Sequence, residues 1–374
     1  MIRFENVSKR YPDGTLAVDG LDFEVGDGEL VTLVGPSGCG KTTTMKMVNR
    51  LVEPTGGRIL LDGRDITTVA AVALRRGIGY VIQHGGLFPH RTVLDNTATV
   101  PALLGWKRAA ARARAAELLE LVGLDPAVFG SRYPDQLSGG QRQRVGVARA
   151  LAADPPVLLM DEPFAAVDPV VRERLQSEFL ALQAQVRKTV LFVTHDIEEA
   201  VRLGDRMAVY GAGRIEQYDS PAAVLGDPAS PYVAEFVGAD RGLKRLSVTA
   251  ITPADLDRAP LLRLGEPAAP AAAALGAQGA RWAVVLDADG APHGWVPAAD
   301  LARGGTVADH TRRMPARVPL GAPLKQALST MLQHDAGWVA VVDGDRFAGV
   351  LTPAALHEAL RRSVRAGVPV ESVS

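Results

Sequence analysis

Apolar residues alternate with polar ones at Ile2, Phe4, Leu21, Phe23 and Val25, then close up into the unbroken run LVTLVG at residues 30–35. Alternation at period two predicts half-buried strands, and the continuous run predicts a strand covered on both faces. Residues 1 to about 95 therefore read as short strands around turns. Residues 109–122 and the run QRQRVGVARALA from Gln141 combine helical spacing with strong helix formers, which predicts a helical subdomain in mid-chain. Beyond it, VLLMDE, TVLFVTHD and MAVY are short apolar runs separated by helical stretches, the pattern of buried parallel strands in an α/β sheet.

The pattern changes near Gly238, which predicts a first domain over residues 1–238 and a second, smaller α+β domain over 239–374. An Ala/Pro/Gly-rich stretch, EPAAPAAAALGAQGA at residues 266–280, reads as a loop or loosely ordered insert. After it comes an internal repeat: WAVVLDADGAPHGWVPAADL from Trp282 and WVAVVDGDRFAGVLTPAAL from Trp338, offset by 56 residues, with Gly294 and Gly349 one position out of step. Two copies of one strand-turn-strand-helix unit are predicted, over about 245–305 and 311–368.

A chain of 374 residues exceeds what one hydrophobic core usually serves, in keeping with two domains. Its 41 Lys and Arg against 42 Asp and Glu leave a net charge of -1, so no global basic field argues for nucleic acid as a partner. The single cysteine, Cys39, excludes an internal disulfide and any multi-cysteine metal site. The N-terminal segment MIRFENVSKRYPDG has no secretory pattern, and no apolar run approaches the ~20 residues that cross a bilayer. Any membrane role is expected to come through a partner.

Chemistry concentrates in four segments. GPSGCGKT at residues 35–42 matches the phosphate loop G-x-x-x-x-G-K-[ST] between a strand and a helix. Gly35, Gly38 and Gly40 let the backbone around Pro36, Ser37 and Cys39 curl its N–H groups toward phosphate, Lys41 reaches the β/γ oxygens, and Thr42, followed by Thr43, offers a hydroxyl to Mg²⁺. VLLMDE ends an apolar strand in two carboxylates, an expensive arrangement unless a cation or a reaction uses them. Asp161 is the expected Mg²⁺ partner, and Glu162 the group that orients and deprotonates the attacking water. His195 ends TVLFVTH, where it can stabilise a γ-phosphate. LSGGQ at residues 137–141 opens a helix, so Ser138, Gly139, Gly140 and Gln141 form a second anion grip.

Together GPSGCGKTTTMKMVNRL, VIQHGGLFPH, LSGGQRQR, LLMDEPF and FVTHD resemble an ABC transporter ATPase over residues 1 to about 240. The resemblance implies an α/β phosphate-loop NTPase fold with β, core and helical subdomains. It also implies a homodimer facing head to tail, with each ATP between the phosphate loop of one copy and the LSGGQ segment of the other. By the same resemblance Tyr11 stacks on adenine, Gln83 contacts Mg²⁺ and senses the permease, and FAAVD, ending at Asp168, crosses the dimer interface, with Ala165 and Val167 where the family often has Gly and Leu.

MKMVNRL and QHGGLFPH are similar to importers of glycine betaine and other quaternary-amine osmoprotectants, and the C-terminal repeats look like tandem CBS modules, the first Ala/Pro-rich. Such a system implies integral-membrane permease subunits, an extracytoplasmic substrate-binding protein and a place at the cytoplasmic face of the membrane. Import of another solute such as methionine, polyamine or sulfate, a non-transport ABC ATPase, and a ligand sensor are the alternatives. Trp282 and Trp338, at equivalent repeat positions, are expected to pack a core rather than cage a quaternary ammonium. His84 and His90 are expected at an interface or a cap, and Arg361, Arg362 and Arg365 on a solvated helix end.

Overall fold

The structure, a computed structural model, describes residues 1–82, 86–165 and 167–365, the side chains of 363–365 excepted. It forms two compact units, one of Met1–Val224 with Pro228–Gly238 and one of Leu225–Asp227 with the chain from Ala239.

In the first unit, β1 (Ile2–Arg10), β2 (Leu16–Val25), β4 (Gly56–Leu61) and β5 (Arg64–Asp65) make an antiparallel sheet in the order β2-β1-β4-β5. A second sheet runs β10-β9-β3-β8-β7-β6 from β3 (Leu30–Val34), β6 (Ile78–Val81), β7 (Val157–Asp161), β8 (Thr189–Thr194), β9 (Arg206–Tyr210) and β10 (Ile215–Asp219). All its pairings are parallel except that of the edge strand β10. The side chains divide by face as pleating requires. Val31, Leu33, Val157, Leu159, Leu191 and Val193 pack one core, and Leu158, Met160, Val190 and Phe192 pack the other. Being covered on both sides explains why these strands are unbroken apolar runs.

The helices of residues 93–151 form the expected mid-chain helical region, including Arg108–Leu121 and Gly139–Leu151. No helix among the described residues is long and apolar enough to cross a membrane.

The second unit holds two βαββ repeats. In the first, β11 (Leu261–Arg263) lies parallel to β12 (Trp282–Leu286), which turns back as β13 (Pro292–Pro297), with β14 (Arg312–Arg313) at the edge. In the second, β15 (Arg317–Pro319), β16 (Val339–Asp343) and β17 (Arg346–Leu351) repeat the order. Val285 pairs with Gly294 and Val341 with Gly349, so the glycines are equivalent and the lost step in their spacing lies in the turn between strands. Leu246 and Ile251, ahead of the first repeat, pack into the core of the second.

Two expectations are corrected here. The stretch 266–280 is not a loop: Ala268–Ala277 is a helix whose Ala268, Ala271 and Leu275 are buried. Alanine is the strongest helix former, and Pro270 falls in the first turn, where its missing N–H has no helical acceptor to lose. Arg362 is not simply solvated, because it pairs with the carboxylate of the buried Asp255. Trp282 and Trp338 stack face to face, 4.3 Å apart and within 5° of parallel, so each covers the other's ring and no cation fits between them.

Candidate functional site

The end of β3 lies between β8 and β9, and the chain leaves it through Gly35 into the helix Lys41–Val48. In an open α/β sheet, ligands gather at the carboxyl ends of the strands where the strand order switches. Backbone geometry makes the glycines obligatory: Gly40 has φ 105°, and a side chain there would place its Cβ 2.3 Å from the Ala17 carbonyl oxygen. At Gly38, φ is 80° and the direction of a Cβ is open to 4 Å, which leaves room for an anion to approach the backbone. Pro36, Ser37 and Gly38 are exposed, whereas Cys39 is buried against the loop.

Lys41 is 5% exposed, and its ammonium donates to the carbonyls of Gly35 at 2.7 Å and Pro36 at 2.8 Å, with Cys39 Sγ at 3.5 Å. The loop thus holds a cation inside its own curl. Thr42 Oγ1 donates to Asp161 Oδ1 at 3.0 Å, joining the helix start to the end of β7. Burial pushes the Asp161 carboxyl above its ordinary range, a cost that the Thr42 hydroxyl and the charge of Lys46 offset only in part. A hydroxyl and a carboxylate side by side are hard oxygen donors, and no group of three or more His, Cys, Asp or Glu among the described residues makes a closed cage. That donor set fits Mg²⁺, which is bound through one or two protein oxygens while phosphates and water complete its shell.

Glu162 follows the last residue of β7 with φ 45°, a left-handed conformation that non-glycine residues adopt at a cost of about 1 kcal/mol or more. Its N–H donates to the Val193 carbonyl at 3.0 Å, and its Oε2 lies 3.2 Å from His195 Nδ1. The register pairing Asp161 with Val193 on parallel strands is what puts these two side chains together. The cap of the next helix, Pro169–Val186, is Asp168, which accepts from the Val170 N–H at 3.0 Å.

Ser138 caps the helix Gly139–Leu151 in a reciprocal box: its Oγ accepts from the Gln141 N–H at 3.3 Å, and Gln141 Oε1 accepts from the Ser138 N–H at 2.9 Å. The hydroxyl keeps its own hydrogen to donate. Among the described residues, no hydrogen bond or ion pair joins residues 137–141 to the phosphate loop, so the structure assembles Gly35–Thr43, Asp161, Glu162 and His195 but does not bring the LSGGQ segment to them. Tyr11 is half-buried and carries the Lys9 ammonium 5.3 Å from its ring centroid. His90 is exposed beside Phe88, while Gln83 and His84 lie outside the described residues. Sequence reasoning missed the strained turn at Glu162 and the bond from Arg172 Nη2 to the Val167 carbonyl at 3.1 Å, neither of which any motif signals.

The family profile described as ABC transporter matches residues 18–165, and the CBS domain profile matches residues 307–362. Osmoprotectant import ATP-binding protein OsmV of Salmonella typhimurium is 45% identical over 364 residues, 94% of each chain. Glycine betaine/carnitine/choline transport ATP-binding protein OpuCA of Bacillus subtilis is 52% identical over 241 residues, 64% of this chain and 63% of that one. Among solved structures, the dimeric post-hydrolysis state of the ATP-binding cassette MJ0796 with ADP and Pi is 34% identical at a TM-score of 0.54, covering 59% of this chain and 99% of that chain. Similarity to OsmV through both units, on a fold with this phosphate loop, places the chain in the family of ABC transporter ATP-binding proteins to which the osmoprotectant import proteins belong.

Proposed function

We propose that two copies of this chain hydrolyse ATP at the seams between them and so power a permease that imports a quaternary-amine osmoprotectant. The observation that carries the cargo assignment is the full-length match to OsmV: OpuCA aligns over 241 residues, whereas OsmV aligns over 364 and so extends through the C-terminal repeats. A CBS-type regulatory unit on the same chain suits an importer whose activity must follow conditions inside the cell.

Gly35 to Thr43 cradle the triphosphate, Lys41 turns its ammonium from the loop carbonyls to the β/γ oxygens, and Tyr11 stacks on the base. Thr42 and Asp161, with Gln83 as the third expected contact, would hold Mg²⁺, which supplies positive charge at those oxygens. Water attacks the γ-phosphorus, its proton passes to the Glu162 carboxylate, and the bond to the β–γ bridging oxygen breaks to release ADP. His195, fixed against Glu162, faces the transferred group. Ser138, Gly139, Gly140 and Gln141 of the facing copy close the site, and Asp168 lies at the interface. Closure can drive a permease only because ATP binds the closed pair more tightly than the open one. The pair sits peripherally at the cytoplasmic face, and an extracytoplasmic binding protein delivers the cargo.

Substituting Asp161→Asn separates function from stability. Hydrolysis falls by about 10²–10³-fold, the range for losing a positioned electrostatic group. The nucleotide-free variant melts at a higher temperature than the wild type at neutral pH. A carboxyl whose folded pKa is raised costs stability above that pKa and nothing below its unfolded value, so the difference in melting temperature closes as pH falls through the carboxyl range.

Cargo is tested by co-purifying the permease with a tagged chain and reconstituting uptake. ATP-dependent accumulation of glycine betaine, choline or carnitine is the expected result. Uptake of methionine, polyamine or sulfate, with none of these amines, would overturn the assignment while leaving the ATPase reading intact.

A further inference from the structure

Arg172 sits in the first turn of the helix that Asp168 caps, and its backbone N–H bonds the Asp168 carbonyl at 2.7 Å. Its guanidinium reaches in two directions. Nη1 lies 3.4 Å from Asp196 Oδ2, and Nη2 donates to the Val167 carbonyl at 3.1 Å. Asp196 directly follows His195, and Val167 directly precedes Asp168. The other oxygen of Asp196 accepts from the N–H groups of Glu198 and Glu199, at 2.9 and 3.2 Å, so the ion pair is anchored to a helix start as well. One planar fork therefore spans the loop of the candidate γ-phosphate contact and the loop expected to face the second copy.

The packing shows that this arrangement is held and not incidental. The side chains of Arg172 and Asp196 are 28% and 33% exposed, so the pair is screened less than one standing free in water. Arg172 Nε is buried with no acceptor among the described residues. An arginine free to swing outward would hydrate that N–H; the two acceptors on the neighbouring loops keep it in place against that cost. Buried Glu199 adds a second carboxylate, which feels the Arg172 charge.

We propose that Arg172 is a positioning residue that couples the His195 loop to the Asp168 loop, so that engagement of the second copy at Asp168 sets the histidine for hydrolysis. The proposal rests on the functional reading above. Lysine cannot replace the fork, since a point charge on a flexible stem serves one of two divergent acceptors at a time.

The test uses the full-length chain with Arg172→Gln, Arg172→Lys, Asp196→Asn, which keeps a capping oxygen, and the double variant Arg172→Gln/Asp196→Asn. Arg172→Gln is expected to lower kcat about tenfold with KM for ATP changed by no more than about twofold, the pattern of an interaction that matters in the transition state. Arg172→Lys recovers only part of that loss, and the double variant is no slower than the slower single one, as members of one network behave. A kcat for Arg172→Gln within about twofold of wild type, or strictly additive losses in the double variant, would overturn the proposal. A residue that merely supports the fold would lower the melting temperature and the fraction of chain that binds ATP, leaving kcat per binding-competent chain unchanged, and that result would overturn it too. Glu162→Gln is measured alongside. If that variant also turned over normally, the functional reading itself would fail; if it were inactive while the Arg172 variants were normal, only the coupling role would fall.

Discussion

Glu162→Gln slows ATP turnover by about two to four orders of magnitude, the range for removing a general base, while ATP binding survives. The substitution keeps the size of the side chain and an oxygen that can accept from His195 Nδ1, 3.2 Å from the carboxylate in the native chain. The backbone turn at φ 45° and the bond from its N–H to the Val193 carbonyl do not depend on the carboxylate either. What is lost is the group that takes the proton of the attacking water. Single-turnover phosphate release and calorimetric ATP binding, measured on one preparation, separate the two effects. Phosphate release at the native rate would remove Glu162 from this role.

Lys41→Met gives the second large effect, and it falls on binding. The ammonium is buried in the loop, bonded to the Gly35 and Pro36 carbonyls and beside the Cys39 sulfur, so replacing it removes the positive side chain that the loop's own curl holds for incoming phosphate. A charged hydrogen bond contributes about 1.5–3 kcal/mol, so ATP affinity is expected to fall by about 10- to 100-fold, with turnover reduced further. Methionine retains an unbranched apolar stem for the buried position, which keeps the measurement on the charge and away from the fold. Calorimetric titration with ATP checks it, and an unchanged dissociation constant would contradict the phosphate-loop reading.

The phosphate loop was legible because its chemistry is contiguous: a run of glycines before Lys41 and Thr42 reads the same on paper as in space. The meeting of Glu162 with His195 was legible only as two separate strand ends. Their contact follows from the parallel register of β7 and β8, which pairs Asp161 with Val193 and which no local pattern encodes. Arg172 was invisible for a related reason, since its partners at Val167 and Asp196 lie on different loops and it belongs to no motif. In the second unit the 56-residue offset exposed the repeat, but the Ala-rich stretch was misread because its prolines and glycines were weighed above seven alanines in a helix. The short leading strands Leu261–Arg263 and Arg317–Pro319 are three residues each, too brief for periodicity to show.

Among the described residues of a single copy, no hydrogen bond or ion pair joins the LSGGQ segment to the phosphate loop, and this makes self-association the decisive property. Following hydrolysis per chain across a dilution series, with molecular mass determined by sedimentation in the same samples, tests it directly. The rate should fall in step with the fraction of paired chains. Undiminished catalysis by chains that sediment only as singles would contradict the account.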